Sequence, residues 1–499
     1  MMRWLLVAVL LFGSLPASAQ SLRIALREDP DIMDPTLARS FVGRIVFASL
    51  CDKLFDLNER LEIVPQLATG FTWDDPKTLT ITLRPGVKFH DGDAMDAASV
   101  VYSLNRHLTM QGSFRRGEIG TMERIEATGP LTIRIHLKEP SAAFLSQLTD
   151  RAGMIVSPRA AEAAGRDFGQ RPVCAGPFRF VERIAQSRIV VDRFADYWDA
   201  SRIHLNRITY LPIPDNNARL ANVQSGAVEF AERMEPDDIA AVARNPRLRV
   251  MQVEELGYQN ITINLNNGPR SNTSLGRDAR VRQAFELALD RATINQVVYQ
   301  GAYTPTEQSV PPANPFHVAS LAPGGRDIPR AQALLREAGV TLPLRVDMIV
   351  PNNPDLRQVA EVIQAMVRDA GFDLRITAME YASSLQVTVR GEFEMYLAGW
   401  SGRSDPDGNI WSFLHSQGPQ NDGRYNNPEA DRLANAARAE LDPAKRLALY
   451  EQFWQVAIVQ DRARIYLWHR KNIFIHATRV TGYRPVPDGM IRVQDLRLN

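Results

Sequence analysis

The chain has 499 residues, 45% of them hydrophobic and 23% charged, which is apolar material enough for two or three globular cores. With 58 Lys and Arg against 57 Asp and Glu, its formal net charge is +1. That balance gives no support to a nucleic-acid or anionic-membrane partner, and no low-complexity tract or repeat of solenoid period is present.

Met1-Met2-Arg3 is a short positive region, Trp4 to Leu15 an apolar core interrupted by Gly13 and Ser14, and Ala17-Ser18-Ala19 an A-x-A cleavage pattern. Together they predict a secretory signal peptide, with the mature chain starting at Gln20. An apolar run of about a dozen residues falls short of the roughly 20 that a membrane span needs. No cysteine follows the run, so a lipid anchor is not expected and the reading is a soluble periplasmic protein. The only cysteines are Cys51 and Cys174. An oxidising compartment permits a disulfide. Cys51, however, sits in the apolar run 45–55, where buried free thiols are common, and free thiols are the expectation.

Residues 22–26 read as a short strand, followed by a loop over 27–35. A helix is predicted over 43–55, with Val46, Leu50 and Leu54 on one face. Thr78, Thr80 and Thr82 alternate with Leu79, Ile81 and Leu83, the period-2 pattern of a half-buried strand. Pro85-Gly86 and Asp91-Gly92 mark turns, and Asp96 can N-cap a helix whose apolar face includes Val100, Val101 and Leu104. Strands are predicted at 131–137 and 261–265. Over 280–299, Val281, Ala284, Phe285, Ala288 and Leu289 recur at helical spacing and predict one helix. A helix over 329–338 ended by Gly339, a strand over 342–350, a helix over 356–370 ended by Gly371 and a strand over 372–377 come next. This strand–helix–strand order implies an α/β domain with a right-handed crossover. A strand over 393–398, helices over 428–439 and 443–459 and a strand over 465–468 complete the pattern.

Chemical motifs do not name a function. There is no G-x-S-x-G elbow, P-loop or dinucleotide fingerprint. The eight histidines are scattered, with no H-x-H, H-E-x-x-H or Cys/His cluster, so neither a protein-made metal site nor a cofactor is expected. His90, in the turn FHDGD, reads as structural.

Whole segments carry more. LRPGVKFHDGDAMDAASVVYSLNR at 83–106 closely resembles the signature segment of the large extracytoplasmic solute-binding proteins of ABC importers, in the peptide/nickel branch called solute-binding protein family 5. Similar blocks occur in the family's order: DPDIMDP at 29–35, and residues 45–68, 175–180, 215–232, 278–303 and 426–457. In one of them Cys174-Ala175 replaces the usual Gly-Thr. The resemblance implies an α/β, two-lobed periplasmic-binding-protein fold of type II with an extra subdomain. Lobe I would comprise 20–45, 172–262 and 476–499, the extra subdomain 46–171, and lobe II 263–475. Ligand would be held between lobes that close by a hinge motion.

The implied function is the periplasmic substrate-binding component of an ABC importer, taking short peptides or peptide-like compounds. It would work without chemistry, as a monomer, with a permease pair and ATPase subunits. An acidic non-peptide ligand is the alternative, such as an amino-acid conjugate, glutathione, an opine-like compound or a metal chelate; a secreted hydrolase is a distant one. The candidate site is the loop GWSGRSDPDGN at 399–409. In peptide-binding relatives the equivalent loop carries a Trp and an Asp, and the Asp pairs with the peptide's amino terminus. Here Gly399 and Trp400 keep the pattern, Ser401 is a further candidate contact, Arg403 stands where the Asp is placed, and Asp405 follows two residues later. Trp400 is expected to line the pocket, with Arg403 or Asp405 orienting ligand by charge; the alternative is that these two pair with each other. Two further candidates are the loop 27–31, through its backbone, and Arg357, as a carboxylate partner.

Overall fold

The computed structural model describes residues 20–499; the expected signal peptide lies outside them. One sheet has seven strands in the order Leu248–Glu254, Lys471–Ala477, Phe230–Ala231, Ser21–Leu26, Arg207–Pro212, Arg188–Arg193 and Phe178–Ile184. Ser21–Leu26 sits inside it, parallel to both neighbours, and buries Leu22, Ile24 and Leu26 completely. Helix Phe41–Leu50 packs Val42, Ile45, Val46 and Phe47 into the same core. Its first turn is capped by the Ser40 hydroxyl, which accepts from the Gly43 amide at 3.2 Å.

This helix stops five residues before the predicted end, because Cys51 is extended and bonded to Cys174. The expectation of free thiols is therefore corrected. Cys174 bridges to Val156 across a short antiparallel contact, and its Cα lies 4.9 Å from that of Cys51. Sequence proximity gave no hint of the pairing, since 123 residues separate the two.

A second sheet has six strands in the order Thr304–Pro305, Arg464–His469, Tyr258–Ile263, Met395–Trp400, Leu344–Pro351 and Phe372–Met379. Leu344–Pro351 runs parallel to Phe372–Met379, joined by helix Pro354–Arg368, which buries Leu356, Val359, Ala360, Ile363 and Val367 on the sheet. This is the unit predicted from strand–helix–strand order. The single helix predicted over 280–299 is instead two, Ala279–Leu287 and Arg291–Tyr299. Asp290 makes the break: its carboxylate accepts from the Thr293 amide at 2.9 Å and caps the second helix.

The third sheet is antiparallel, in the order Ala68–Asp75, Thr78–Leu83, Thr132–Leu137 and Met122–Gly129. The Thr/Leu alternation buries Leu79, Ile81 and Leu83. Asp96 caps helix Ala97–Thr109 by accepting from the Ser99 amide at 2.8 Å, and Val100 and Leu104 enter this subdomain's core.

Only two short crossings join the large sheets. Leu248–Glu254 of the first becomes Tyr258–Ile263 of the second within three residues, and Arg464–His469 returns as Lys471–Ala477 through Arg470 alone. The sheets thus change hands at Glu255–Gly257 and at Arg470, and each crossing runs straight on between paired strands. The crossings bind each other. The Glu255 amide donates to the Arg470 carbonyl at 3.0 Å, and the Arg470 guanidinium meets the Glu255 carboxylate at 3.1 and 3.3 Å. Arg233 binds Glu255 as well, at 2.5 Å.

A buried acid lies where the third sheet's subdomain meets the first lobe. Asp52 accepts from Tyr197 Oη at 2.9 Å, Trp198 Nε1 at 2.8 Å and Gln66 Nε2 at 3.0 Å. Burial nevertheless pushes its carboxyl up from 3.8 to about 7. The folded chain therefore holds a proton that the unfolded chain has released, and stability falls as pH rises through that window. The loss is at most about 4 kcal/mol between roughly pH 4 and pH 7. Asp52→Asn is expected to flatten this slope, measured as the urea midpoint at several pH values. An unchanged slope would exclude Asp52 as its source.

Candidate ligand cleft

The loops that leave the ends of three strands face one another across the space between the large sheets. Arg27 and Glu28 follow Ser21–Leu26, Ser401 to Arg403 follow Met395–Trp400, and Asp355 opens the helix after Leu344–Pro351. Arg27 Nη2 reaches both Asp355 oxygens at 2.7 Å, and its Nη1 reaches Glu235 at 3.2 Å. Tyr299 Oη donates to Asp355 at 3.2 Å. Arg39 donates to Asp422 at 2.8 Å, a second ion pair between the lobes. Burial acts to raise the Asp355 carboxyl, but Arg27 more than offsets it and leaves the group below its ordinary value. Burial and the Asp355 charge move Glu235 the opposite way, upward. Asp355→Asn is expected to loosen the closed arrangement, since truncating one partner of a buried charge pair costs about 2–5 kcal/mol, of which the asparagine amide recovers part. Small-angle scattering should record a larger radius of gyration without ligand; an unchanged radius would mean the pair does not hold the lobes together.

Two adjoining small cavities, of about 40 and 30 Å³, lie in the cleft and share Arg39, Tyr381, Gly399 and Trp400 as walls. The first is completed by Asn260, Thr262, Tyr396, Phe413, Asp422 and Arg464, among others, and the second by Arg27, Glu28, Phe41, Arg233, Ser401 and Arg470. Trp400 is fixed from both sides: its Nε1 donates to Asn409 Oδ1 at 3.0 Å, and its ring meets Phe413 edge-on at 4.8 Å. Gly402 has φ +75°, and a Cβ there would collide with the Leu256 backbone; a Cβ on Gly257 would collide with the Trp400 carbonyl. Glycine is therefore required on both sides of this contact, and the loop lies backbone to backbone on the first crossing.

The charged residues of the loop have protein partners. The Arg403 guanidinium stacks 4.4 Å over the Trp400 ring and is held by Glu118 at 3.3 Å and Asp150 at 3.4 Å, both from the third sheet's subdomain. Arg44 reaches Asp150 at 2.6 Å, Arg115 reaches Glu118 at 2.5 Å, and Arg151 lies 3.6 Å from Asp150. All six side chains are buried. Burial tends to raise the Asp150 carboxyl, yet Arg403, Arg44 and Arg151 hold it well below the usual range. Asp405 takes both Nη atoms of Arg446, at 2.8 and 2.7 Å. Arg403 and Asp405 thus pair with other residues rather than with each other. Neither is a cavity wall, nor is Arg357, which is exposed on its helix. Gly399, Trp400 and Ser401 are walls.

The structure adds Arg39, Tyr381, Tyr396 and Arg464, which no sequence pattern marked, and Asp355, which shares the strand-end loop 351–357 with the candidate Arg357. They come from five separate stretches of chain, and only the fold assembles them. His90 Nε2 donates to the Gly176 carbonyl at 3.0 Å, and burial lowers the imidazole to about 4, as suits a neutral turn residue. Among the described residues, no three His, Cys, Asp or Glu side chains gather in a geometry that could hold a metal ion.

Comparison with known proteins adds three findings. Residues 62–421 match the family model described as bacterial extracellular solute-binding proteins, family 5 Middle. The glutathione-binding protein GsiB of Pectobacterium atrosepticum is 29% identical over 518 aligned positions, covering 99% of this chain and 98% of that one. Among solved structures, the periplasmic binding protein AgaA with agropinic acid, from A. tumefaciens R10, aligns at a TM-score of 0.87 and 24% identity, over 96% of this chain and 99% of that one. The Helicobacter pylori protein DppA, in complex with the peptide STSA, aligns equally well, at 0.87 and 24%, over 96% and 98%. At such identity the last two are likenesses of fold.

Proposed function

The chain belongs to the bacterial extracellular solute-binding proteins of family 5, and on that footing we propose that it is the periplasmic binding component of an ABC importer for short peptides or peptide-like compounds. Its fold is the two-lobed α/β architecture of type II periplasmic binding proteins with an extra subdomain. Among the described residues no helix is long and apolar enough to cross a membrane. The observation that carries the proposal is the cleft itself: two adjoining cavities between the lobes, with aromatic walls and charged groups of both signs. Such a site suits a small ligand with a polar backbone and charged ends.

The cycle is capture, closure and delivery. Ligand binds in the cleft, the lobes close through the two crossings, and a permease pair with ATPase subunits receives the closed form. Ligand need supply only the difference in affinity between open and closed states. Gly399, Trp400 and Ser401 touch ligand, whereas Arg403 and Asp405 hold the loop in shape through Glu118, Asp150 and Arg446. The protein works as a monomer and leaves its ligand chemically unchanged. Glutathione is a specific second candidate, favoured by the relative named for binding it; it is itself a tripeptide.

Native mass spectrometry of protein purified from its periplasm, with identification of any released compound, tests the reading. A peptide of a few residues or glutathione is the expected finding. Reproducible release of a non-peptide acid would overturn the peptide assignment.

A further inference from the structure

Most charged groups in the cleft are already satisfied by the protein. Arg27 is spent on Asp355 and Glu235, Arg233 and Arg470 on Glu255, and Arg39 Nη2 on Asp422. Two groups stand apart, one in each cavity.

Glu28 lines the cavity that also holds Phe41 and Ser401. It is 8% exposed, yet among the described residues its carboxylate accepts no hydrogen bond from the protein. Its nearest cation, Arg27 Nε, is 3.9 Å away, and that guanidinium is already bound in two directions. A buried carboxylate without donors costs free energy that an incoming cation with N–H groups would recover. Burial accordingly raises the Glu28 carboxyl in the empty cleft.

Arg464 lines the other cavity. Its guanidinium donates to Asn260 Oδ1 at 3.2 Å, neighbours the Tyr258 hydroxyl and lies 5.0 Å over the Phe413 ring. Among the described residues no carboxylate comes within ion-pair distance of it, and its buried Nε has no acceptor. Arg39, which lines both cavities, also keeps Nε and Nη1 without acceptors. A buried guanidinium of this kind is ready for a planar, bidentate anion.

We propose that the cleft is a dipolar cradle that selects zwitterionic ligands, with Glu28 receiving the ligand's ammonium group and Arg464, assisted by Arg39, receiving its carboxylate. The inference rests on the peptide reading above and gives it a direction: the ligand runs from the Glu28 cavity, past the shared wall of Tyr381, Gly399 and Trp400, into the Arg464 cavity. It makes both ends of the ligand obligatory and places neither charge contact on the loop 399–409.

Calorimetry with trialanine and glutathione, each free, N-acetylated and C-amidated, tests this on the wild-type chain and on Glu28→Gln and Arg464→Gln. At least one free zwitterion is expected to bind the wild type, and either blocking group should weaken it about tenfold or more. Glu28→Gln should weaken the free ligand similarly and no longer discriminate against N-acetylation; Arg464→Gln should lose discrimination against C-amidation. Blocked and free forms binding the wild type equally would overturn the cradle and leave the peptide reading standing, whether or not the variants fold. If no probe binds the wild type, the peptide reading falls and the cradle with it.

Discussion

Asp150→Asn is expected to destabilise the fold by about 3–5 kcal/mol, the cost of leaving buried charge without its counter-charge. Asp150 is the pivot of the cluster in which Arg44, Arg115, Arg151 and Arg403 meet its carboxylate or that of Glu118. Cations already outnumber anions there, and burial already lowers the Arg44 and Arg151 guanidinium groups, with Asp488 acting on Arg44 from further off. Neutralising Asp150 leaves Glu118 as the one carboxylate in ion-pair contact with these arginines among the described residues. Denaturant titration of the single variant should show the loss. Adding Arg403→Met to Asp150→Asn should return part of it, because one uncompensated cation leaves with the arginine. A single variant within about 1 kcal/mol of the wild type would show that water or local rearrangement neutralises the cluster. Arg403→Met alone is expected to leave ligand affinity within a few-fold, since Arg403 is not a cavity wall.

Removing the Cys51–Cys174 bond should cost a comparable amount. The bond closes a loop spanning 123 positions, and the chain-entropy relation puts the resulting restriction of the unfolded state at about 5 kcal/mol, with measured losses more often 2–5. Both cysteines are buried, so Cys51→Ala with Cys174→Ala preserves the apolar surroundings and isolates the effect of the link. The oxidised wild type should have the higher denaturant midpoint, and the reduced wild type should match the double variant. Equal midpoints for all three would show that the unfolded chain is already compact enough to make the link redundant.

What could be read in advance followed local physics. The Thr78–Leu83 alternation, the Asp96 cap and the strand–helix–strand run beginning at Leu344 are each written in neighbouring residues, and each is present. The break at Asp290 was equally legible, since an aspartate three residues before a threonine amide is a capping signal, but the continuous apolar stripe hid it. Helix Tyr381–Val389 was missed for a different reason. Val387, Thr388 and Val389 favour strands, and the helix depends on Glu380 accepting from the Ala382 and Ser383 amides at its start. Tyr381 lines both cavities from that helix, so losing the element lost the residue. In the candidate site, Gly399, Trp400 and Ser401 are cavity walls that the motif marks. The contacts of Arg403 and Asp405 are not legible in the sequence, because Glu118, Asp150 and Arg446 reach them from distant parts of the chain. Glu28 lies in the candidate loop 27–31, but what singles out its side chain, as for Arg464, is the partners it lacks, a property that exists in three dimensions alone.

One crossing between the lobes is a single residue, Arg470, bound through its side chain to Glu255 of the other. Both groups are buried, so a motion that separates them must strand a charge, whereas a swing about the line joining them need not. The pair therefore acts as an axle and leaves opening essentially one degree of freedom. Because the loop 399–402 rests on this crossing, the ligand contact proposed at Trp400 lies beside the pivot, where a small displacement becomes a larger one at the far rims. Substitutions at the rim pairs Arg27–Asp355 and Arg39–Asp422 should then alter how long the jaws stay shut, and substitutions at the axle should alter the path they take.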